Sequence, residues 1–371
     1  MKIGILTVPF NNNYGGYLQA YALLTTLKKM GHEPTLIMYR HKKEKVGIRL
    51  KIKFFVKNFI KGIIDGKLYP LLYDREKIIA YKGKEMMKFE SHYLNPQTEK
   101  FYTDEALKHG CKDRFDAICV GSDQVWRAIY VPNIDNYFLA FTNGWNLKRY
   151  AYAASFGTNT PEYTKMQKQR CSQLIEHFDA ISVREESALS VIESWGCETV
   201  NIQTVLDPTL LLLKEQYLSM LDKLETVAKG KIFSYVLDEN DIIKDYINRS
   251  SAYANKEILQ ISDIQVGMNI LPAVEKWLAY IRDCDLVITD SFHGTVFSII
   301  MNKPFLVVAN GSRGIARFES LLEKFGLKDR IVNEKNSPEY ILKSKIDWKA
   351  VNQLLSIQRQ RSINFIKENF K

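Results

Sequence analysis

Short apolar segments alternate with amphipathic helical segments along most of the 371 residues, and this alternation restricts the fold more than any other feature. KIGILTV, a helix-like YLQAYALLTTLKKM closed by Gly31, and EPTLIMY predict a first strand–helix–strand unit. FDAICVG, RYAYAASFG and FDAISVR predict further strands, and EESALSVIESWG predicts a helix with acids in its first turn. Such units build parallel sheets, so we predict a doubly wound α/β domain.

A second series of the same kind follows VLDPTLLL, where Pro208 indicates a connection that leaves the first domain. KIFSYVL, EILQI, LPAVEKWLAYIRDC, DLVIT, HGTVFSIIMN and PFLVVAN again alternate strand with helix. We therefore predict an α/β fold of two Rossmann-like domains that face each other across a cleft. The predicted divisions are an N-terminal domain (1–205), a C-terminal domain (206–346) and a C-terminal helix (347–371) that packs back on the first domain.

Composition limits the class of protein. Hydrophobic residues make up 46% of the chain and charged residues 25%, which is typical of a soluble globular protein. The five cysteines are scattered and lack CxxC spacing, so we predict neither a disulfide framework nor a metal site. MKIGILTVPF is interpreted as a first strand rather than a signal peptide, and no apolar run reaches the roughly 18 residues of a spanning helix. We expect a cytoplasmic protein.

Ligands of open parallel sheets bind beyond the carboxyl ends of the strands, and four segments of this chain place polar residues there. The first is PFNNNYGGY, where Asn13, Gly15 and Gly16 follow the first strand and precede a helix. Glycines at such a turn let backbone N–H groups approach a ligand closely, although a merely tight turn explains the pattern equally well.

The second segment is GSDQVWR, where Ser122, Asp123 and Gln124 follow the predicted strand FDAICV. A carboxylate and an amide at a strand end suit hydrogen bonding to sugar hydroxyls, or general-base catalysis by Asp123. A helix N-cap is the alternative interpretation. Trp126 is expected to offer a face on which a sugar stacks.

In the third segment, SVREES, Arg184 follows a predicted strand. An ion pair with Glu185 or Glu186 is one interpretation. Because the helix dipole already favours acids at that position, we expect Arg184 to be free to point into the cleft. Its planar fork can hold a carboxylate or a phosphate through two hydrogen bonds.

The fourth segment is TDSFHG, which follows the apolar run LVIT. Asp290 or Ser291 is expected to cap a helix that begins near His293, and the N–H groups of that first turn form an anion site. A histidine at a helix start is often structural. Here Gly294 follows it, and we expect His293 to face Arg184 across the cleft and to act in catalysis.

Two more arginines, Arg313 and Arg317, follow the next predicted strand in PFLVVANGSRGIARF. Together with Arg184 they predict a cationic pocket, which suits a small and strongly anionic ligand.

The net charge is +10, and the basic residues cluster in HKKEKVGIRLKIKFFVKNFIKGIIDGK, residues 41–67. There they interleave with isoleucine, phenylalanine and valine at helical spacing. An amphipathic helix packed on its own domain is one interpretation, and a helix at an anionic membrane surface is the other. No recognition motif for nucleic acid accompanies the cluster, so we expect no nucleic-acid partner.

GSDQVW, YAASFG, SVREES, VLDPTLLL and TDSFHG occur in this order over nearly the whole chain. Together they resemble the polysaccharide pyruvyl transferase family. The resemblance implies a fold like that of GT-B glycosyltransferases, phosphoenolpyruvate as donor, and a glycan acceptor that receives a pyruvate ketal across two hydroxyls. It also implies a first domain on the acceptor side, a second on the donor side, and no redox or metal cofactor.

By this resemblance Arg184 matches the arginine of the family's serine-x-arginine segment and would hold the donor anion. We take His293 as the acid that protonates the donor, since histidine titrates in the right range. Many family members carry an arginine two residues before the histidine, where this chain has Ser291. Candidate catalytic residues are His293, Arg184 and Asp123, and candidate substrate-binding residues are Asn13, Gly15, Gly16, Ser122, Gln124, Ser155, Ser182, Ser291, Gly294, Arg313 and Arg317.

Arg313 or Arg317 is expected to supply the charge that Ser291 lacks. Two other functions remain open. A GT-B glycosyltransferase would use the same cleft for a nucleotide sugar, with Glu319 or Glu323 as a ribose-binding carboxylate. A non-catalytic anion- or glycan-binding protein would keep the cations and would not need the acid His293.

Overall fold

The computed structural model describes residues 1–42, 47–66, 68–197, 201–261, 269–308 and 315–371. The strands are β1 Lys2–Leu6, β2 Glu33–Tyr39, β3 Gln97–Phe101, β4 Ala117–Val120, β5 Lys148–Ala154, β6 Ala180–Val183, β7 Ile202–Thr204, β8 Ile232–Tyr235, β9 Ile258–Gln260, β10 Leu286–Thr289 and β11 Phe305–Val307. The α-helices are α1 Tyr14–Lys29, α2 Ile48–Asp65, α3 Arg75–Lys82, α4 Met86–Tyr93, α5 Asp104–Cys111, α6 Ile134–Tyr137, α7 Lys165–Ile175, α8 Glu186–Glu193, α9 Lys214–Leu218, α10 Asp241–Ala254, α11 Val274–Asp283, α12 Phe292–Met301, α13 Ala316–Glu323, α14 Pro338–Lys343 and α15 Trp348–Asn369.

These strands form two sheets in the described part of the chain, one of seven strands in the order β3-β2-β1-β4-β5-β6-β7 and one of four in the order β11-β10-β8-β9. Neighbouring strands pair in parallel in both sheets. The central strands β4, β6, β8 and β10 are buried along their whole length, as continuous apolar runs in a parallel sheet require. The predicted parallel-sheet α/β fold is confirmed.

Two edge strands, β3 and β7, were not predicted from the sequence. The segment QTEKF of β3 carries two charged residues, and β7 has only three residues. An edge strand of a parallel sheet is shielded on fewer sides than a central strand, so it does not need the apolar run by which central strands are recognised.

Helix α1 lies between the two sheets and joins their cores. The Tyr14 ring stacks on Trp277 of α11 with centroids 5.1 Å apart, and the Tyr14 hydroxyl donates to the Pro272 carbonyl. Buried residues of both sheets belong to the same apolar cluster. The start of α1 is therefore fixed relative to the second sheet.

Helix α15 contacts the first sheet. Phe370 stacks on Tyr150 of β5 with ring centroids 4.1 Å apart, and the Ser362 hydroxyl accepts from the backbone N–H of Leu206. The divisions at residues 205 and 346 stay predictions.

The five cysteines are buried and unpaired. Among the helices within the described ranges, none combines the length and the apolar character that crossing a bilayer requires.

Candidate active site

The polar segments that follow β1, β4, β6 and β10 meet where the two sheets face each other. A cleft of about 560 Å³ opens there, which lies within the usual range for small-molecule sites. Phe10 and Asn13 line it from the loop after β1, Asp123 and Gln124 line it from the loop after β4, and Leu237 lines it from the second sheet. The structure thus joins both sheets in one site.

Asp207 is the centre of the polar network beneath this cleft. Its Oδ2 accepts hydrogen bonds from Ser122 Oγ and Arg184 Nη1, both at 2.9 Å, and lies 3.5 Å from His293 Nε2. Its Oδ1 accepts from the backbone N–H and the hydroxyl of Thr209. Burial alone would raise the pKa of Asp207, but His293, Arg184 and the Thr209 hydrogen bonds outweigh it and hold that pKa well below its ordinary value. Asp207 is therefore a carboxylate in the folded protein.

Arg184 is not free in the cleft, contrary to the sequence-based expectation. It is 4% exposed, and its guanidinium contacts three buried carboxylates: Asp207 at 2.9 Å and Asp123 and Glu185 at 3.6 Å. These carboxylates raise the pKa of Arg184 although burial itself lowers it. A buried guanidinium needs such partners, because an unpaired charge away from water is strongly unfavourable.

His293 lies in the first turn of α12, where Ser291 is the N-cap and its Oγ accepts from the Gly294 N–H. The helix start and its cap are as predicted. His293 and Arg184 both reach Asp207 Oδ2, so the structure brings the two residues together through a carboxylate rather than across open space. Gly294 packs against Thr289, since an added Cβ would lie 2.4 Å from the Thr289 hydroxyl.

Gly15 sits directly against the imidazole of His293. A Cβ at residue 15 would lie 1.9 Å from His293 Nδ1, a distance that no real contact allows. We therefore predict that Gly15→Ala displaces the imidazole, lowers activity by at least about tenfold, and costs about 1–3 kcal/mol of unfolding free energy through overpacking. Enzyme assays and chemical denaturation measure both effects.

Gly16→Ala is the matched control, because a Cβ at residue 16 would meet its nearest neighbour at an ordinary 3.6 Å. We expect Gly16→Ala to leave activity close to that of the wild type. Equal losses in the two variants would contradict the steric role of Gly15.

A second arginine, Arg317, is buried near Arg184. The ring of Phe292 lies 4.1 Å from the Arg184 guanidinium carbon and 6.0 Å from that of Arg317. Burial and the charge of Arg184 lower the pKa of Arg317 to about 10. Arg313, the other arginine predicted for this site, lies outside the described residues.

The predicted cationic pocket stays a prediction, because Arg313 lies outside the described residues, and its described part also contains acids. Two buried arginines, Arg184 and Arg317, are accompanied by the three buried carboxylates Asp123, Glu185 and Asp207. Close packing of the two sheets buries the arginines, and buried cations are retained only with compensating anions. The network is therefore nearly balanced in charge.

Asp123 has a φ of +72°, in the left-handed region that a non-glycine residue rarely adopts. A bridge to Ala154 of β5 holds this conformation at the cleft. Gln124 also lines the cleft, and its Oε1 accepts from Arg127. Backbone strain of this kind concentrates at functional sites, so it supports the selection of Asp123.

Trp126 does not offer a stacking face to a ligand. Its side chain is fully buried, stacks on Phe138 with ring centroids 4.9 Å apart, and donates from Nε1 to the Tyr137 carbonyl. The indole lies in the apolar core beside the seven-stranded sheet, which a sequence pattern alone does not reveal.

Three serines predicted to bind substrate are fully buried and bond to backbone and carboxylate groups of the protein itself. At Ala153, which has a φ of +52°, the pairing of β5 with β6 is interrupted. Ser182 Oγ accepts from the Ala153 N–H, and Ser122 Oγ lies 3.0 Å from the Ala153 carbonyl oxygen. Ser155 Oγ donates to Glu185. These hydroxyls satisfy buried polar groups and have no access to the cleft.

Asn13 is the N-cap of α1, and its side chain accepts from the Gly15 N–H. The tight-turn interpretation of this segment is therefore correct, and Asn13 also lines the cleft. Within the described ranges, there is no group of three or more Asp, Glu, His or Cys side chains that could hold a metal ion.

Asp207 is the functional residue that sequence reasoning missed. It stands in VLDPTLLL, where an acid precedes a proline at the end of an apolar run. That position is a signal of the same kind as the four strand-end segments, but Pro208, which follows it, indicated a connection between domains instead.

A family model described as polysaccharide pyruvyl transferase matches residues 13–312. No curated protein is significantly similar to the chain in sequence. Similar solved structures include UDP-GlcNAc 2-epimerase from Neisseria meningitidis bound to UDP-GlcNAc, with 9% identity, a TM-score of 0.55, and coverage of 100% of this chain and 99% of that chain.

Two others are MnaA from S. aureus in complex with UDP and UDP-GlcNAc 2-epimerase from Methanocaldococcus jannaschii with UDP-GlcNAc and UDP. MnaA has 12% identity, a TM-score of 0.54, and coverage of 99% of this chain and 96% of that chain. The Methanocaldococcus enzyme has 14% identity, a TM-score of 0.50, and coverage of 99% of this chain and 100% of that chain. At such identities these likenesses show the fold alone, which is GT-B-like.

Proposed function

The chain belongs to the polysaccharide pyruvyl transferase family, and from this membership we propose that it forms a pyruvate ketal on a sugar of a bacterial surface polysaccharide. The acceptor is the capsule or exopolysaccharide sugar itself or its lipid-linked precursor, and phosphoenolpyruvate is the donor. One observation supports the proposal most directly. His293 and Arg184 both approach the Asp207 carboxylate, beneath a cleft that Asp123 lines.

The donor has a phosphate and a carboxylate, and the two buried arginines suit such an anion. Arg184 and Arg317 approach the same Phe292 ring, and their mutual repulsion contributes to the lowered pKa of Arg317. A bound anion would relieve this repulsion and add charge-assisted hydrogen bonds. Arg317 thus takes the place of the cation that many relatives carry at the position of Ser291.

The reaction is a proton transfer followed by two additions. His293 in its protonated form donates a proton to the methylene carbon of phosphoenolpyruvate, which leaves an oxocarbenium-like centre at the neighbouring carbon. A first sugar hydroxyl adds there and gives its proton to Asp123. The carbon–oxygen bond to phosphate then breaks and inorganic phosphate leaves. A second hydroxyl adds to the same carbon and gives its proton to the now neutral His293, which closes the ketal and restores the acid. Asp207 holds the imidazole in place for the first step.

A GT-B glycosyltransferase that uses a nucleotide sugar is the competing function. The solved structures named above include complexes with UDP or UDP-GlcNAc, so UDP-GlcNAc is the competitor to test. Glu319 and Glu323 are exposed on α13, and Glu323 pairs with Lys328 at 3.2 Å.

Ligand-dependent thermal unfolding distinguishes the two functions. We expect phosphoenolpyruvate to raise the melting temperature, since a ligand at 100 times its Kd stabilises the native state by about 2.7 kcal/mol. Arg184→Lys should weaken this binding at least about tenfold, because an ammonium cannot contact the donor and three carboxylates at once. Arg249→Lys, at a partly buried ion pair with Glu339 outside the site, is the matched control. Stabilisation by UDP-GlcNAc alone would favour the glycosyltransferase.

We also propose that the protein works at an anionic membrane surface through the basic segment 41–67. Within this segment, residues 43–46 and 67 lie outside the described residues. Helix α2 buries only Asn58, so it is not packed along its length on its own domain. One stripe of α2, at spacings of three and four residues, is 42–77% exposed: Ile48, Ile52, Phe55, Val56, Phe59 and Ile63.

Basic side chains accompany the apolar stripe of α2: Arg49, Lys51, Lys53, Lys57 and Lys61, against the one acid Asp65. An apolar face beside lysines is typical of helices that lie in a lipid interface. A second copy of the chain would bring like charges together, whereas anionic lipid complements them.

Co-sedimentation with vesicles tests the membrane proposal. We expect binding to phosphatidylglycerol vesicles but not to phosphatidylcholine vesicles, and less binding near 1 M salt, where screening acts over about 3 Å. Changing Lys51, Lys53 and Lys57 to glutamate should abolish it. The same change at the exposed Lys112, Lys335 and Lys345 is the control. Indifference to lipid charge would contradict the proposal.

A further inference from the structure

A second cavity lies between α2 and the cleft. It has a volume of about 170 Å³, and five of its lining residues are basic: Arg40, His41, Lys42, Lys51 and Arg75. These residues come from three places, the end of β2, helix α2 and the start of α3, so the fold rather than one charged run gathers them. We call it the basic cavity.

The two acids of the basic cavity do not cancel its charge. Asp74 caps α3 by accepting from the backbone N–H groups of Glu76 and Lys77, and Glu76 accepts from the Tyr102 hydroxyl. The four permanently charged cations against these two acids leave a net charge of +2 on the lining residues with His41 neutral, and Glu90, 3.9 Å from Arg40, reduces it to +1. A small anion with several oxygens fits this arrangement.

The basic cavity adjoins the cleft. Pro9, Asn11, His41 and Arg75 line both, and Asp123 lines the cleft but not the basic cavity. At the opposite end Lys51 belongs to α2, whose apolar stripe is exposed. A ligand can therefore extend from the surface of α2, through the basic cavity, to the proposed general base.

We infer that the basic cavity binds the phosphate groups of a lipid-linked sugar acceptor and so presents the sugar hydroxyls to Asp123. This inference rests on the proposed function and selects, from the two acceptors proposed there, the one that carries phosphate. The lipid lies at the apolar stripe of α2, the phosphate or pyrophosphate contacts Lys51 and Arg75, and the sugar occupies the cleft.

Binding of inorganic pyrophosphate, measured by calorimetry in the presence of saturating phosphoenolpyruvate, is the first test. We expect Lys51→Met with Arg75→Met to weaken binding about tenfold or more, because two charge-assisted contacts are lost. Lys53→Met with Lys57→Met is the matched control, since it removes the same charge from exposed positions of α2 that do not line the cavity. Equal weakening in both pairs, or none in either, would overturn the inference.

A second experiment, with vesicles, distinguishes a phosphate group attached to a lipid from free phosphate. Phosphatidylcholine vesicles that contain farnesyl pyrophosphate should recruit the wild type, and vesicles with farnesol should not. Phe55→Ser with Phe59→Ser should lose this recruitment and keep the affinity for inorganic pyrophosphate, whereas Met166→Ser with Ile242→Ser, exposed elsewhere, should keep both. If the wild type binds pyrophosphate but is not recruited by vesicles with farnesyl pyrophosphate, the inference of a lipid-linked acceptor is overturned.

These measurements use neither pyruvyl transfer nor His293, and the direct binding of phosphoenolpyruvate is scored separately. A failure of phosphoenolpyruvate to bind would therefore be detected separately from a failure of the basic cavity to bind pyrophosphate. Displacement of pyrophosphate by phosphoenolpyruvate would assign the anion to the donor site and overturn the inference.

Discussion

Replacement of His293 by alanine or glutamine is expected to abolish pyruvyl transfer while leaving binding of phosphoenolpyruvate partly intact. The proton is needed only in the transition state, so its loss lowers kcat more than donor affinity. General acid catalysis contributes about 10²- to 10⁴-fold, which sets the expected loss. Steady-state kinetics with an acceptor glycan and calorimetry with phosphoenolpyruvate measure the two quantities.

His177→Gln is the matched control, because His177 is exposed and contacts neither the cleft nor Asp207. It should keep the activity of the wild type. Near wild-type kcat in His293→Gln would remove His293 from the mechanism and leave it as a structural residue at the start of α12.

Asp207→Asn is expected to cause the largest loss of stability of any single change in the site. The variant removes the negative charge of Asp207, which lies next to His293 and compensates the buried positive charge of Arg184. Breaking a buried ion pair costs about 3–5 kcal/mol of unfolding free energy. Chemical denaturation measures the loss, and kcat should fall as well because the imidazole is no longer held.

The stability that Asp207 contributes depends on pH in a defined direction. Its pKa in the folded protein is lowered, so the contribution is present above the unfolded pKa of about 4 and is lost progressively as pH falls below that value. Asp207→Asn should lack this dependence. Asp241→Asn, at an exposed pair with Lys244, should change stability by less than about 1 kcal/mol. Equal stability of Asp207→Asn and wild type would contradict a paired carboxylate.

Much of the fold was predictable because parallel sheets leave a strong pattern in the sequence. Central strands such as β4 and β10 are buried on both faces and read as continuous apolar runs, and α12 begins where Ser291 caps it. These features depend on residues that are neighbours in the chain. The edge strands β3 and β7 lack such runs, and the sequence pattern missed them.

The positions of polar residues at strand ends were predictable, but the contacts that each side chain makes were not. The sequence predicted Arg184 and His293 near one cleft. It did not indicate that Asp207, which lies 23 residues after Arg184 in the chain, contacts both of them. It also gave no sign that Ser122 and Ser182 are needed by the backbone of Ala153, or that Trp126 turns into the core.

The sequence by itself therefore determined the parallel sheets, the order of the strand-end segments and the family. Only the tertiary structure decided which charges meet, how they are compensated, and which serines have no access to a ligand. The reason is physical: helix and strand periodicity arise from contacts a few residues apart, whereas burial of a charge and its partner depends on segments that folding brings together from distant parts of the chain.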